Sequence, residues 1–170
     1  PLASNKRKKK RKVNVDEKIK AVVGIFESKI EEENITIEYD LDKNIMLDVI
    51  EEDLYMALTN IIDNAVFWVQ HTKCNNKVIK IKLYGSSDDV TIEIGDNGPG
   101  IPTEDIIDNL LFLPGYSRKY TVLEENGTGL GLSIAGEAVQ RNQGSLEAID
   151  STNGALFRIS FRKETNNTDE

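Results

Sequence analysis

The sequence predicts an α/β, more strictly α+β, two-layer sandwich: a mixed, mostly antiparallel sheet with three main helices on one face. Three observations lead there. Apolar residues recur at helical intervals in three separated stretches. Between and after those stretches, apolar and polar residues alternate in five short runs. Four of those runs form neighbouring pairs, which reads as two hairpins.

The first helix is expected at about 16–32. Asn14 followed by Glu17 has capping-box spacing, and Ile19, Val22, Val23, Phe26 and Ile30 then fall on one face. Ile35–Leu41 alternates and reads as a strand. A second helix, about 51–70, buries Leu54, Leu58, Ile61, Ile62, Ala65 and Val69. Val78–Tyr84 and Val90–Ile94 alternate around the turn-like segment 85–89, which predicts a hairpin. Residues 98–128 hold Gly, Pro and polar groups without sustained periodicity, a long segment that predicts a functional and mobile loop. The third helix follows at about 129–142, stopped near Gly144, and strands at 145–150 and 155–162 close the chain.

Composition narrows the function classes. The chain has 170 residues, 21 basic and 29 acidic, for a net charge of −8, the size of one domain. A single Cys74 and a single His71 rule out a disulfide framework and argue against a zinc or Cys–His enzyme. No apolar run reaches the ~18–20 residues of a membrane span and no signal peptide opens the chain, which predicts a cytoplasmic domain. Residues 6–12 are all basic, leaving fourteen basic against 29 acidic residues beyond them. An acidic body argues against nucleic-acid binding by the fold itself. The expected organisation is a basic flexible tail or linker at 1–13, a folded unit at 14–163 and a polar tail at 164–170. The tail reads as a solvated linker, a nuclear-import address in a eukaryotic or engineered setting, or a nucleic-acid patch.

Three segments carry chemistry. Asn60, Asn64 and Trp68 share one face of the second helix. Asn is a poor helix former, and its carboxamide oxygen suits Mg²⁺ while its NH₂ suits phosphate. Plain surface exposure is the competing reading. Asp96-Asn-Gly98-Pro-Gly100 directly follows a strand and offers a fixed acceptor beside a close-approaching backbone, or is only an acidic turn. Gly127-Thr128-Gly129-Leu130-Gly131-Leu132 leads into a helix and clears side chains from N–H groups at its positive end. No Gly-Lys-Ser/Thr follows, so it is not a Walker loop.

In this order and spacing the segments resemble the GHKL ATPase superfamily, and most closely the catalytic ATP-binding domain of sensor histidine kinases. The N box reads Asn60-Ile-Ile-Asp-Asn64, the G boxes start at Asp96 and Gly127, and Leu111–Lys119 resembles the F box with its lid. The resemblance spans residues 14–163 and implies the Bergerat-type ATP-binding fold. It implies that Asn64 ligates Mg²⁺, that Asn60 lines the same site, and that Trp68 lies against adenine. Asp96 would accept from the adenine amino group, with Gly98 and Gly100 allowing that approach. Gly127, Thr128, Gly129, Leu130, Gly131 and Leu132 would hold the phosphates, Ser117, Arg118 and Lys119 would sit on the lid near the γ-phosphate, and Phe112 would pin the lid base, unless it is a plain core aromatic. Lys119 joins Asn60 and Asn64 as a candidate catalytic residue.

The implied activity is that of a protein-histidine kinase fragment, passing the ATP γ-phosphate to a His on a separate dimerisation domain, and from there to a response-regulator-like acceptor. The alternative is a GHKL-type conformational ATPase or nucleotide-gated interaction module. Those branches carry a Glu four residues before the second Asn to activate water; here that position is Asn60, which cannot act as a base near neutral pH. Three departures stand out. Phe67 replaces a frequent Lys or Arg, and Ala155-Leu156 precede Phe157 where a hydroxyl residue is frequent. No phospho-accepting helical hairpin lies within these 170 residues, and His71 reads as a surface or capping residue.

Overall fold

A computed structural model describes residues 8–114 and 131–164. Its main sheet has five strands in the order β2-β4-β5-β7-β6: β2 (Ile35–Leu41), β4 (Lys77–Gly85), β5 (Asp89–Asp96), β6 (Ser145–Ile149) and β7 (Leu156–Arg162). Only the β2–β4 pair is parallel; the other three are antiparallel. Strict alternation decides which face is covered. Ile79, Ile81, Leu83, Ile92, Ile94 and Ile159 are at most 1% exposed, while Lys80, Lys82 and Glu93 between them point to the other side.

The helices pack on the apolar face. They are α1 (Val15–Ile25), α2 (Glu27–Glu32), α3 (Glu51–Val69), the short α4 (Thr103–Ile107) with a 3₁₀ turn at Leu110–Phe112, and α5 (Gly131–Arg141). Asn14 caps α1 as its spacing predicts, its Oδ1 accepting from the Glu17 N–H at 3.3 Å. The first helix is nonetheless interrupted. Phe26, with φ −96° and ψ 6°, separates α1 from α2. Gly24 weakens the preceding turn, and α2 buries no residue that would hold one continuous axis. In α3 all six expected core residues are buried, with Ala57 and Val66 beside them. Each buried Leu, Ile or Val among them contributes roughly 1.5–3 kcal/mol.

A second, two-stranded sheet was not legible in the sequence. β1 (Arg11–Asn14) runs antiparallel to β3 (Met46–Val49), with Val13 opposite Leu47. The expectation of a flexible tail through residue 13 therefore gives way at Arg11. Val13 is buried, Lys10 Nζ donates to Gln143 Oε1 at 2.6 Å, and Arg11 pairs with Glu51. Lys10, Arg11 and Lys12, three of the seven basic residues, are thus held against the fold.

Two features fix α3 relative to α5, the helices that flank the site. Asp53, 2% exposed, accepts from both Nε and Nη2 of Arg141 at 3.0–3.3 Å and from Asn142 Nδ2 at 3.1 Å. Asn142 in turn accepts from the Ile50 N–H at 2.8 Å. In the segment expected to be irregular, α4 and the 3₁₀ turn are too short to show periodicity. Leu111 is buried there, and Phe112 packs edge-on against Phe157 at 6.4 Å.

Candidate functional site

Helix α3 presents Asn60, Asn64 and Trp68 in successive turns, and all three are half-buried rather than exposed. Asn60 Nδ2 donates back to the Met56 carbonyl at 2.8 Å, and among the described residues its Oδ1 accepts no hydrogen bond. That oxygen faces the start of α5: a Cβ on Gly131 would lie 3.4 Å from it. Asn64 makes no side-chain hydrogen bond among the described residues, so its carboxamide is available to a ligand. Trp68 stands edge-on to Phe67, with centroids 5.1 Å apart, and His71 joins them at 5.3 and 6.0 Å. His71, expected at the surface or as a cap, is half-buried just past the end of α3, where its N–H donates to the Trp68 carbonyl at 3.0 Å and its ring joins this aromatic cluster.

The second element of the site is the end of β5. Its alternation turns Asp96 to the helix side, where it is 5% exposed. Burial pushes its carboxyl up to about 6, against the opposing pull of the Gly98 and Ala155 N–H groups. The Gly98 N–H donates to Asp96 Oδ1 at 2.8 Å. Asp96 thus keeps acceptor capacity in a dry setting, where a matching donor is worth most.

The backbone around Asp96 is clamped from both sides. On the α3 side, a Cβ at Gly98 would lie 2.5 Å from the Trp68 carbonyl oxygen, so only glycine permits the approach. The Thr72 hydroxyl donates to the Asn97 carbonyl. The Asn97 side chain accepts from the Val78 N–H at 2.9 Å and donates to the Asn76 carbonyl at 2.8 Å. On the other side Gly154, at φ +75°, rests against the Asp96 carbonyl, and Gly100, at φ +86°, lies over Gly154. Thr72, Asn97 and Gly154 escaped the sequence reading. The turn-forming Asn153-Gly154 pair between two strands was their one visible signal.

Gly131 and Leu132 open α5 as expected. Ser117, Arg118, Lys119, Gly127, Thr128, Gly129 and Leu130 lie outside the described residues. The described site therefore joins three of the expected parts: the Asn face of α3, the Asp96 loop and the first turn of α5. Asn60 meets Gly131 and Trp68 meets Gly98, eight residues apart on α3, or about 12 Å along its axis. That span matches the separation of base and phosphates in a nucleotide. Among the described residues no group of three or more His, Cys, Asp or Glu could cage a metal. The free carboxamide of Asn64 does fit Mg²⁺, which keeps several waters and takes its remaining ligands from phosphate.

Comparison with known proteins shows the family and the fold. The family model for histidine kinase-, DNA gyrase B- and HSP90-like ATPases matches residues 49–165. The chain is 38% identical over 104 residues to the sensor histidine kinase CpxA of Escherichia coli (strain K12), covering 61% of this chain and 21% of that protein. It is 29% identical over 128 residues to the adaptive-response sensory kinase SasA of a Synechocystis strain, covering 74% and 31%. The chain thus spans between about a fifth and a third of these relatives. Among solved structures, a nucleotide-free catalytic domain of the histidine kinase ThkA superposes with a TM-score of 0.77 at 26% identity, covering 91% of this chain and 95% of that one. A complex of ThkA with the response regulator TrrA has the same fold, with a TM-score of 0.75 at 24% identity over 91% of this chain and 42% of that one.

Proposed function

The chain belongs to the histidine kinase-, DNA gyrase B- and HSP90-like ATPase family, and we propose that it binds Mg-ATP between α3, the Asp96 loop and the start of α5 and donates the γ-phosphate to a histidine outside this domain. Asp96 selects adenine by accepting from its amino group; a guanine carbonyl at the same place would meet a second acceptor. Asn64 holds Mg²⁺, whose chemistry is to neutralise phosphate charge, and Asn60 lines the phosphate end of the cleft. The resemblance assigns Ser117, Arg118 and Lys119 to the γ-phosphate and Gly127–Leu132 to the phosphate chain. Trp68, backed edge-on by Phe67 and His71, gives adenine an aromatic wall, and with Phe67 in place of a cation the phosphate charge falls to Arg118 or Lys119.

The observation that carries this reading is the spacing on α3. One helix face meets an anion-receiving helix start at Asn60 and a buried carboxylate loop at Trp68. Asn60 also argues for transfer rather than hydrolysis, because a carboxamide activates no water. Catalysis then consists of positioning and charge neutralisation. ThkA forms a complex with the response regulator TrrA; here the proposed acceptor is a histidine on a separate dimerisation domain, from which the phosphoryl group passes to a response-regulator-like protein. No described helix is long and apolar enough to cross a membrane, so any anchoring falls to other segments. The folded unit, on this view, runs from about Arg11 to Lys163.

The test is transfer. The chain, mixed with Mg-ATP and a separately produced His-bearing dimerisation hairpin from a related kinase, should yield acid-labile, base-stable phosphohistidine. Replacing that His with Ala should abolish the product. Label appearing on Ser or Thr, or none under saturating ATP, would refute the assignment.

A further inference from the structure

The chain contains three Asn-Gly pairs: Asn97-Gly98, Asn126-Gly127 and Asn153-Gly154. Such a pair is chemically labile. Asn is a thermolabile residue, and a following glycine has no Cβ to keep its amide nitrogen away from the Asn carboxamide. Asn126-Gly127 lies outside the described residues. The other two pairs are held in opposite ways.

In the first pair both reacting groups are engaged. Asn97 Oδ1 accepts from the Val78 N–H at 2.9 Å, and its Nδ2 donates to the Asn76 carbonyl at 2.8 Å. The Gly98 N–H donates to Asp96 Oδ1 at 2.8 Å. In the second pair neither group is engaged. Asn153 is exposed, and among the described residues its carboxamide makes no hydrogen bond. The Gly154 N–H also donates to nothing among those residues. Ser151 Oγ accepts from the Asn153 N–H at 3.3 Å and donates to the Asn153 carbonyl at 3.4 Å, long bonds that leave the side chain unconstrained. Asn153 also borders an open hollow of about 260 Å³ on the sheet face away from the helices, which gives a cyclic intermediate room.

We propose that Asn153 is a site of spontaneous deamidation, and that the isoaspartate formed there unseats Gly154 from the Asp96 loop and weakens nucleotide binding. Solvent base removes the Gly154 amide proton, and that nitrogen attacks Cγ of Asn153. A C–N bond forms, the Cγ–Nδ2 bond breaks, and Nδ2 takes a proton from water and leaves as ammonia. Water then opens the cyclic imide. Breaking the new Cγ–N bond gives aspartate; breaking the original peptide bond gives isoaspartate, whose main chain runs through Cβ and Cγ. Water is the one co-reactant, and nothing is oxidised or reduced.

Isoaspartate lengthens the main chain by one methylene just before Gly154. That glycine has no slack. It rests on the Asp96 carbonyl at φ +75°, Gly100 lies over it, and the adjoining Ala155 carbonyl accepts from the Asp96 N–H at 2.9 Å. The added atom must shift Gly154, and with it the loop that carries Asp96. The effect on nucleotide rests on the reading of Asp96 given above; the rearrangement itself does not.

The test ages the ¹⁵N-labelled full chain in mildly alkaline buffer at physiological temperature. Peptide mass mapping with electron-transfer fragmentation then tells isoaspartate from aspartate at each position. Residue 153 should convert at least about ten times faster than residue 97, and faster still as pH rises, because the attacking amide must lose its proton. The isoaspartate-enriched fraction should show displaced Asp96 and Gly98 amide signals and bind Mg-ATP at least about tenfold more weakly than fresh chain. Asn153→Ser, a change at an exposed position, removes the carboxamide and should keep its Asp96 signal and its affinity through the same ageing. Conversion at 153 no faster than at 97 would overturn the proposal. So would unmoved Asp96 and Gly98 signals in the isoaspartate fraction, or an Asn153→Ser chain that ages like the parent. If fresh chain binds no ATP, the nucleotide assignment fails by itself, and the mass map with the Asp96 signal still decides the rearrangement.

Discussion

Gly154 rests on the carbonyl of Asp96 so closely that a Cβ at position 154 would overlap that oxygen, and its φ of +75° disfavours any other residue. The β6–β7 turn is therefore built against the Asp96 loop, the proposed adenine side of the site, although some 58 residues of sequence separate the two. Gly154→Ala must push Asp96 and Asn97 away and strain its own backbone. We expect a stability loss of about 2 kcal/mol or more, with ATP affinity lowered further than the stability loss alone would require. Denaturant unfolding and calorimetric titration at a temperature where the variant remains folded will separate the two effects.

Asp96 links pH to stability and to binding in opposite directions. Burial raises its pKa from 3.8 to about 6, so the folded state holds this proton more tightly than the unfolded chain. The stability that the protonated form contributes is complete below pH 3.8 and is lost as pH rises through about 6, a change on the order of 3 kcal/mol. Asp96→Asn carries no such penalty and should gain on the parent by that order between pH 4 and pH 7. Its ATP affinity should nonetheless fall, by about 1–3 kcal/mol for one buried donor–acceptor contact. Parallel unfolding curves for parent and variant across this range would contradict the assignment.

Much of this was legible because large apolar faces leave a clear period. The Asn14 cap, α3 and both hairpins announce themselves through residues such as Leu54, Ile61, Ile79 and Ile92, whose burial is dictated by spacing. β1 was illegible because Val13 is its one deeply buried side chain and sits inside a run of cations. The break at Phe26 escaped because periodicity survives a single irregular residue. Local sequence also carries no trace of long-range approach. Nothing near Gly131 says that Asn60 faces it, and nothing near Asn97 says that Thr72 holds it.

The Asp53–Arg141 pair should be asymmetric under mutation. Asp53 is 2% exposed, whereas the Arg141 side chain is 49% exposed. Removing Arg141 strands a buried carboxylate; removing the carboxylate returns a guanidinium to water. Arg141→Ala should therefore cost about 2–4 kcal/mol and Asp53→Asn about 1 kcal/mol, measured by urea unfolding at pH 7.

Asn64→Ala removes the proposed metal ligand and leaves the Asp96 loop intact. ATP binding with Mg²⁺ should weaken about tenfold or more, while binding in EDTA should change little. Equal losses in both conditions would mean that Asn64 contacts the nucleotide, or holds the fold, without the metal.

The most direct test of the account is steady-state ATP turnover by the unmodified domain on its own. On the proposed assignment Asn60 stands at the phosphate end of the cleft and cannot deprotonate water, so the domain should bind Mg-ATP and hydrolyse it orders of magnitude more slowly than ~1 s⁻¹, a rate at the low end of ordinary enzymes. Asn60→Glu, which supplies a base at that position, is expected to raise the rate. A turnover of about 1 s⁻¹ or more by the parent domain would contradict phosphate donation to a histidine and make hydrolysis itself the activity.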